Sequence, residues 1–118
     1  MSKRYPDLLV EDMLDCIAAI ASFVEPVGEE AVLESRLHMD AIIRNLEVLG
    51  EAANQLPKLW QEKVEGIPWP QIISLRNRLI HEYHGVDWNI LIPTILHDLP
   101  SLKEQLEVLL VMIKETEA

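Results

Sequence analysis

Six side chains between positions 76 and 84 could do chemistry together: Arg76, Asn77, Arg78, His81, Tyr83 and His84. They belong to the run RNRLIHEYHGVD, residues 76–87, in a chain that is otherwise acidic and aliphatic. The run supplies a cation that stays protonated in any protein environment and a group that gains or loses a proton near neutrality. Cleaving an RNA phosphodiester needs a base for the 2′-hydroxyl proton, an acid for the leaving oxygen, and fixed positive charge on the crowded phosphate. Each residue also has a purely structural account. The arginines would be solvated, His81 would sit as a cation at the negative end of a helix, and Tyr83 would pack with its hydroxyl outward. Their concentration in one short segment is what favours chemistry.

Spacing limits how they can cooperate. On a helix turning about 100° per residue, Arg76 and Tyr83 nearly superimpose, while Asn77, His81 and His84 follow at i, i+4 and i+7 on a neighbouring face. Arg76 and His81 are then about 140° apart and do not meet by spacing alone. Either the helix loosens toward Gly85 and turns His81, or two copies of the helix meet across a two-fold axis and line one groove.

Other constellations are weaker. His81 and His84 with Glu82 and Asp87 make a poor metal site, because carboxylates at a helix end are solvated, and neither metal nor cofactor is expected. His38 beside Asp40 and His97 beside Asp98 read as surface residues. Ser74 and Ser101 have no base at a recognisable spacing, and there is no glycine-rich phosphate loop. Trp60, Trp69 and Trp88 bracket the motif and read as core or interface anchors.

The elements that must position the cluster are helical. Only 4 glycines and 5% aromatic residues, with Leu, Ile, Val, Ala, Glu and Lys dominant, favour helices over a strand-rich sandwich. Residues 8–24 carry Leu9, Met13, Ile17, Ile20 and Val24 on one face, and Pro26 and Gly28 end that helix. A polar stretch, residues 29–36, leads to a second helix whose Met39, Ile42, Leu46, Leu49, Ala53 and Leu56 form a heptad-like seam. Gly50 sits beside the seam, where it would let another backbone approach closely. Pro57 closes this helix, and PKLWQEKV has room for a short one. Pro68 or Pro70 suits the first turn of the motif helix, which carries Ile72, Ile73, Leu75, Leu79 and Ile80 and should stop at Gly85. Asp87 can cap the last helical region, Pro93 and Pro100 should kink or restart it, and Leu99, Leu102, Leu106, Leu109 and Ile113 form its apolar face. The expected fold is all-α: an up-and-down bundle of four main helices plus short ones, in a single domain, residues 1–118.

Composition narrows function further. A net charge of −10 argues against a sequence-independent nucleic-acid coat and leaves room for a local RNA contact. Glu11, Asp12 and Asp15 interrupt the first apolar segment, so it is neither a signal peptide nor a membrane span, and a cytoplasmic location is expected. Cys16, the one cysteine, reads as a small buried hydrophobe.

Arg76, His81 and Tyr83 fit R-x-x-x-x-H-x-Y, with polar Asn77 after the arginine. Together with NLEVLGEAAN, IPWPQIISLRNRLIHEYHGVD and DLPSLKEQL in the same order, this resembles the HEPN superfamily and, within it, the HepT toxins of HepT/MNT toxin–antitoxin pairs. The resemblance spans residues 8–113. It implies a homodimer with the motif helices near the two-fold axis and a metal-independent endoribonuclease. Arg76 would hold the phosphate, His81 would do acid/base work and Asn77 would orient them, with Arg78 in support. A nucleotidyltransferase antitoxin would neutralise the toxin by attaching AMP to Tyr83. His84 stands where an aromatic residue is commoner, adding a second titrating group or replacing a packing ring. The rival expectation is a non-catalytic HEPN module that binds a nucleotidyltransferase or a nucleotide, which the acidic charge favours and the intact Arg–His–Tyr set opposes.

Overall fold

The computed structural model describes residues 4–81 and 85–117, all of whose regular elements are helical. Seven α-helices follow in order: α1 (Pro6–Val24), α2 (Gly28–Leu33), α3 (Arg36–Gln55), α4 (Lys58–Gln61), α5 (Trp69–His81), α6 (Trp88–Pro93) and α7 (Leu99–Glu117). A π-helical turn, Thr94–Asp98, joins the last two. The four long helices are α1, α3, α5 and α7, as the apolar periodicities require. The protein is therefore all-α. No described helix is long and apolar enough to cross a membrane.

Helix α3 packs against both α1 and α5, and α1 packs in addition against α7. A helix with two long neighbours must bury a wider stripe than a simple seam. Accordingly α3 buries Ile43, Gly50 and Ala52 as well as Ile42, Leu46, Leu49 and Ala53, while Met39 at its start is half-buried. The expected apolar face of α7, from Leu99 to Ile113, is buried throughout.

The helix ends follow from local chemistry. Pro6 occupies the first turn of α1, where its missing N–H is no loss. Ser35 caps α3 by accepting the His38 N–H at 3.3 Å, and Asp87 caps α6 by accepting the Asn89 N–H at 3.0 Å. Pro57 cannot donate to Ala53 at the end of α3. Gln61 substitutes for it, its Nε2 donating to the carbonyls of Ala53 and Leu56 at 3.1 Å each. Trp69 Nε1 then donates to the Gln61 carbonyl at 2.8 Å, which fixes the start of α5 relative to the end of α3. Gly66, in the turn between them, has φ of +92°, a conformation that favours glycine.

Three details differ from, or refine, the sequence reading. Residues 29–36 are not simply a polar lead-in: α2 forms there and buries Val32 completely. His38 is half-buried, with its Nδ1 2.7 Å from Ser35 Oγ, because the capping serine draws the ring back over the helix start. Pro93 and Pro100 do both things expected of them. Pro100 offers no N–H to Leu96, and the intervening turn widens so that the Leu99 N–H reaches back to the Thr94 carbonyl. The expected stop of α5 at Gly85 lies beyond His81, across residues that are not described.

Cys16 is buried, as its apolar neighbours suggested. Burial foremost, and then the carboxylates of Asp12 and Asp15, push its thiol from an ordinary 9.0 up to about 11, with Arg44 opposing. The native thiol should therefore resist a disulfide-exchange reagent at pH 8 and react fully in urea. The folded state keeps this proton to higher pH than the unfolded state does. Stability should accordingly fall as pH rises from 9 toward 11, and Cys16→Ala should remove that part of the slope in denaturant titrations.

Candidate functional site

Helix α5 carries the motif, and its contact with α3 decides where each side chain goes. Leu79 is buried and Ile72, Ile73 and Leu75 are half-buried toward the core, which leaves the polar residues spread over the remaining faces. Arg76 is drawn inward at Gly50. A methyl group on Gly50 would overlap Arg76 Cβ and lie 2.8 Å from Arg76 Cγ and 3.3 Å from the Ile72 carbonyl oxygen. The absent side chain is what allows the arginine stem to lie across α3.

The head of Arg76 is held twice. Nη1 donates to Asn77 Oδ1 at 2.8 Å, and Nη2 lies 2.5 Å from Glu51 Oε2, with the two ionic side chains only 28% and 39% exposed. The approach to Glu51 is skewed. Oε2 is in ionic contact, yet neither it nor Arg76 Nε, both shut off from solvent, has an aligned hydrogen-bond partner. The guanidinium faces a cavity of about 330 Å³ between α1, α3 and α5, with Arg4, Asp12, Arg44 and Glu47 among its walls. Arg4 is engaged there by a forked contact to Asp12, at 2.8 and 3.1 Å.

The remaining site residues are placed differently. Arg78 is exposed and borders an apolar groove on another side of α5, so it is not brought to Arg76. His81, the last described residue of α5, is exposed and makes no hydrogen bond or ion pair among the described residues. Arg76 is thus tied to α3 while His81 stands in solvent, in keeping with their wide angular separation on the helix. Tyr83 and His84 lie outside the described residues. Trp69 is a buried anchor, and Trp60 and Trp88 pack partly buried against the core.

Glu51 was not singled out by sequence reasoning. Its partner is on another helix, and spacing rules see only neighbours on the same one. The glycine at position 50 was the available signal: it marked a close approach on α3 without naming the residue that approaches.

A helical bundle whose third long helix carries a pinned arginine, an adjoining asparagine and an exposed histidine has the architecture of a HEPN domain. The chain belongs to the ribonuclease HepT-like family, whose model matches residues 13–109. It is 36% identical over 109 residues to a Thermococcus cleftensis protein named "Probable ribonuclease HepT", covering 92% of this chain and 98% of that protein. It is 34% identical over 107 residues to a "Putative RNase" of Caldanaerobacter subterraneus subsp. tengcongensis, covering 91% and 96% of the two chains. A Methanocaldococcus jannaschii protein, also named "Putative RNase", is 31% identical over 108 residues, covering 92% and 99%. No solved structure matches the chain.

The Gly50 contact yields a direct expectation. In an open helix Gly50→Ala would gain about 1 kcal/mol of helix propensity. Here the methyl must force α3 and α5 apart, and overpacking of this kind costs roughly 1–3 kcal/mol. Gly50→Ala should therefore lower the urea midpoint, and an unchanged or raised midpoint would show that the two helices do not meet there.

Proposed function

We propose that the protein is the toxin of a toxin–antitoxin pair and a metal-independent endoribonuclease whose groove is completed by a second copy of the chain. The observation that supports this most is the contrast on α5: an arginine clamped by Glu51 and Asn77 and, five positions on, an exposed histidine whose side chain has no partner among the described residues. In this reading Arg76 binds the phosphate and stabilises its added negative charge in the transition state. His81 takes the proton from the ribose 2′-hydroxyl as that oxygen attacks phosphorus. The bond from phosphorus to the 5′-oxygen breaks, and the leaving oxygen takes up a proton. The products are a 2′,3′-cyclic phosphate and a 5′-hydroxyl. Because Arg76 and His81 diverge on one helix, the arginine of one copy and the histidine of the other would serve the same phosphate across a two-fold axis.

His81→Ala and Arg76→Ala should each reduce RNA cleavage by at least roughly a hundred-fold while leaving helicity and oligomeric state intact. Cleavage should persist in EDTA. A wild-type protein that leaves all tested RNA whole and is harmless when expressed alone would favour the rival, a non-catalytic module that binds a nucleotidyltransferase or nucleotide. The net charge of −10 is the observation on that side.

Neutralisation is assigned to a nucleotidyltransferase partner that adds AMP to Tyr83. The adduct brings bulk and a phosphodiester charge near the arginines, which blocks and repels the RNA backbone. Tyr83→Phe should keep most of the cleavage activity and escape silencing by AMP transfer. Protein co-expressed with its partner should gain roughly 330 Da per AMP on the peptide containing Tyr83, and modification confined to other peptides would overturn the assignment.

A further inference from the structure

We propose that Glu51 is a positioning residue, which orients the Arg76 guanidinium for the scissile phosphate. This rests on the nuclease reading above and extends it to a helix outside the motif. An arginine side chain is long and flexible, and its value in binding phosphate depends on presenting a planar fork at a fixed angle. Arg76 is restrained at three places: its stem by Gly50, Nη1 by Asn77 and Nη2 by Glu51. Asn77 is the adjoining residue on the same helix and turns with it. Among the described residues, Glu51 is what restrains the guanidinium from a second helix.

Donor accounting shows what this leaves for a ligand. Of the five N–H groups of a guanidinium, the one on Nε is shut off from solvent and one on Nη1 is donated to Asn77 Oδ1, while Nη2 meets Glu51 Oε2 in ionic contact without an aligned hydrogen bond. Both Nη groups therefore keep N–H donors for the oxygens of one phosphate. Matching the charge of a half-buried arginine does not by itself require this skewed contact, so charge balance alone does not account for the geometry. Glu51 also carries a cost. Its negative charge stands beside the place where an anion must arrive, so its benefit has to lie in orientation rather than attraction.

Glu51→Gln keeps the shape and removes the charge, and it separates these effects. The expected result is a kcat for RNA cleavage about ten- to a hundred-fold below wild type, with KM unchanged or lowered and only a small loss of thermal stability, because the pair is partly solvated. In an Arg76→Lys background the same change should cost little further activity, because a lysine ammonium has no plane to orient. Nitrogen-detected NMR provides a readout independent of catalysis. Resolved Arg76 Nη signals, reflecting hindered rotation, should merge in Glu51→Gln. An unchanged kcat, an equal fractional loss in the Arg76→Lys background, or Arg76 signals that do not respond would each overturn the proposal. Failure of the wild type to cut any RNA would instead remove the nuclease reading, while the NMR response would still decide whether Glu51 orients Arg76.

Discussion

The close crossing of α3 and α5 at Gly50 is the constraint on which the rest of the molecule turns. Residues with a Cβ would hold the two helices further apart, and the Arg76 stem could not then lie across α3. Once it does, the guanidinium falls within reach of Glu51, the next residue of α3, and of Asn77, the next residue of α5. A half-buried arginine is costly unless its charge is matched. Glu51 meets that requirement and at the same time fixes the direction in which the remaining N–H groups point. A packing decision at a single glycine thus becomes an electrostatic feature of the site.

The surrounding elements hold this crossing in place. Pro57 ends α3, Gln61 donates to the carbonyls of Ala53 and Leu56 there, and Trp69 hangs the first turn of α5 on the Gln61 backbone. Helix α3 also packs against α1, which in turn packs against α7, and the apolar faces of these helices are buried between them. The π-helical turn between Pro93 and Pro100 joins α6 to α7 without a loop. His81, the last described residue of α5, is exposed and is not tied to these restraints. The arginine is fixed and the histidine exposed, a division suited to one group that must stabilise charge and another that must exchange protons.

Much of this was legible in the sequence. The four long helices, the breaks at Pro26, Pro57 and Pro93, the start of the motif helix at Pro68, the cap at Asp87 and the burial of Cys16 all follow from periodicity and turn chemistry, which act over a few residues. The misses share a different cause. Val32 is buried because a short helix folds back onto the bundle, and Glu51 matters through a residue on another helix. Each depends on which elements become neighbours, and single-helix spacing does not contain that information. For the site, Arg76, Asn77 and His81 were visible as a motif. That Arg76 and Arg78, two positions apart, lie on different sides of α5 follows from the helical turn, but that Arg76 is the one drawn against α3 became visible only with α3 in position.

The central claim is that Arg76 of one copy and His81 of another act on the same phosphate. Complementation tests it most directly. An Arg76→Ala chain and a His81→Ala chain, each inactive by itself, are unfolded together and refolded so that mixed dimers form. One intact arginine–histidine pair then exists in a mixed dimer if the site is shared between chains, and none exists if each chain carries its own. The account predicts that RNA cleavage returns in the mixture, to a substantial fraction of the activity of refolded wild type. A mixture that forms dimers yet stays inactive, beside a wild type that cuts, would contradict it.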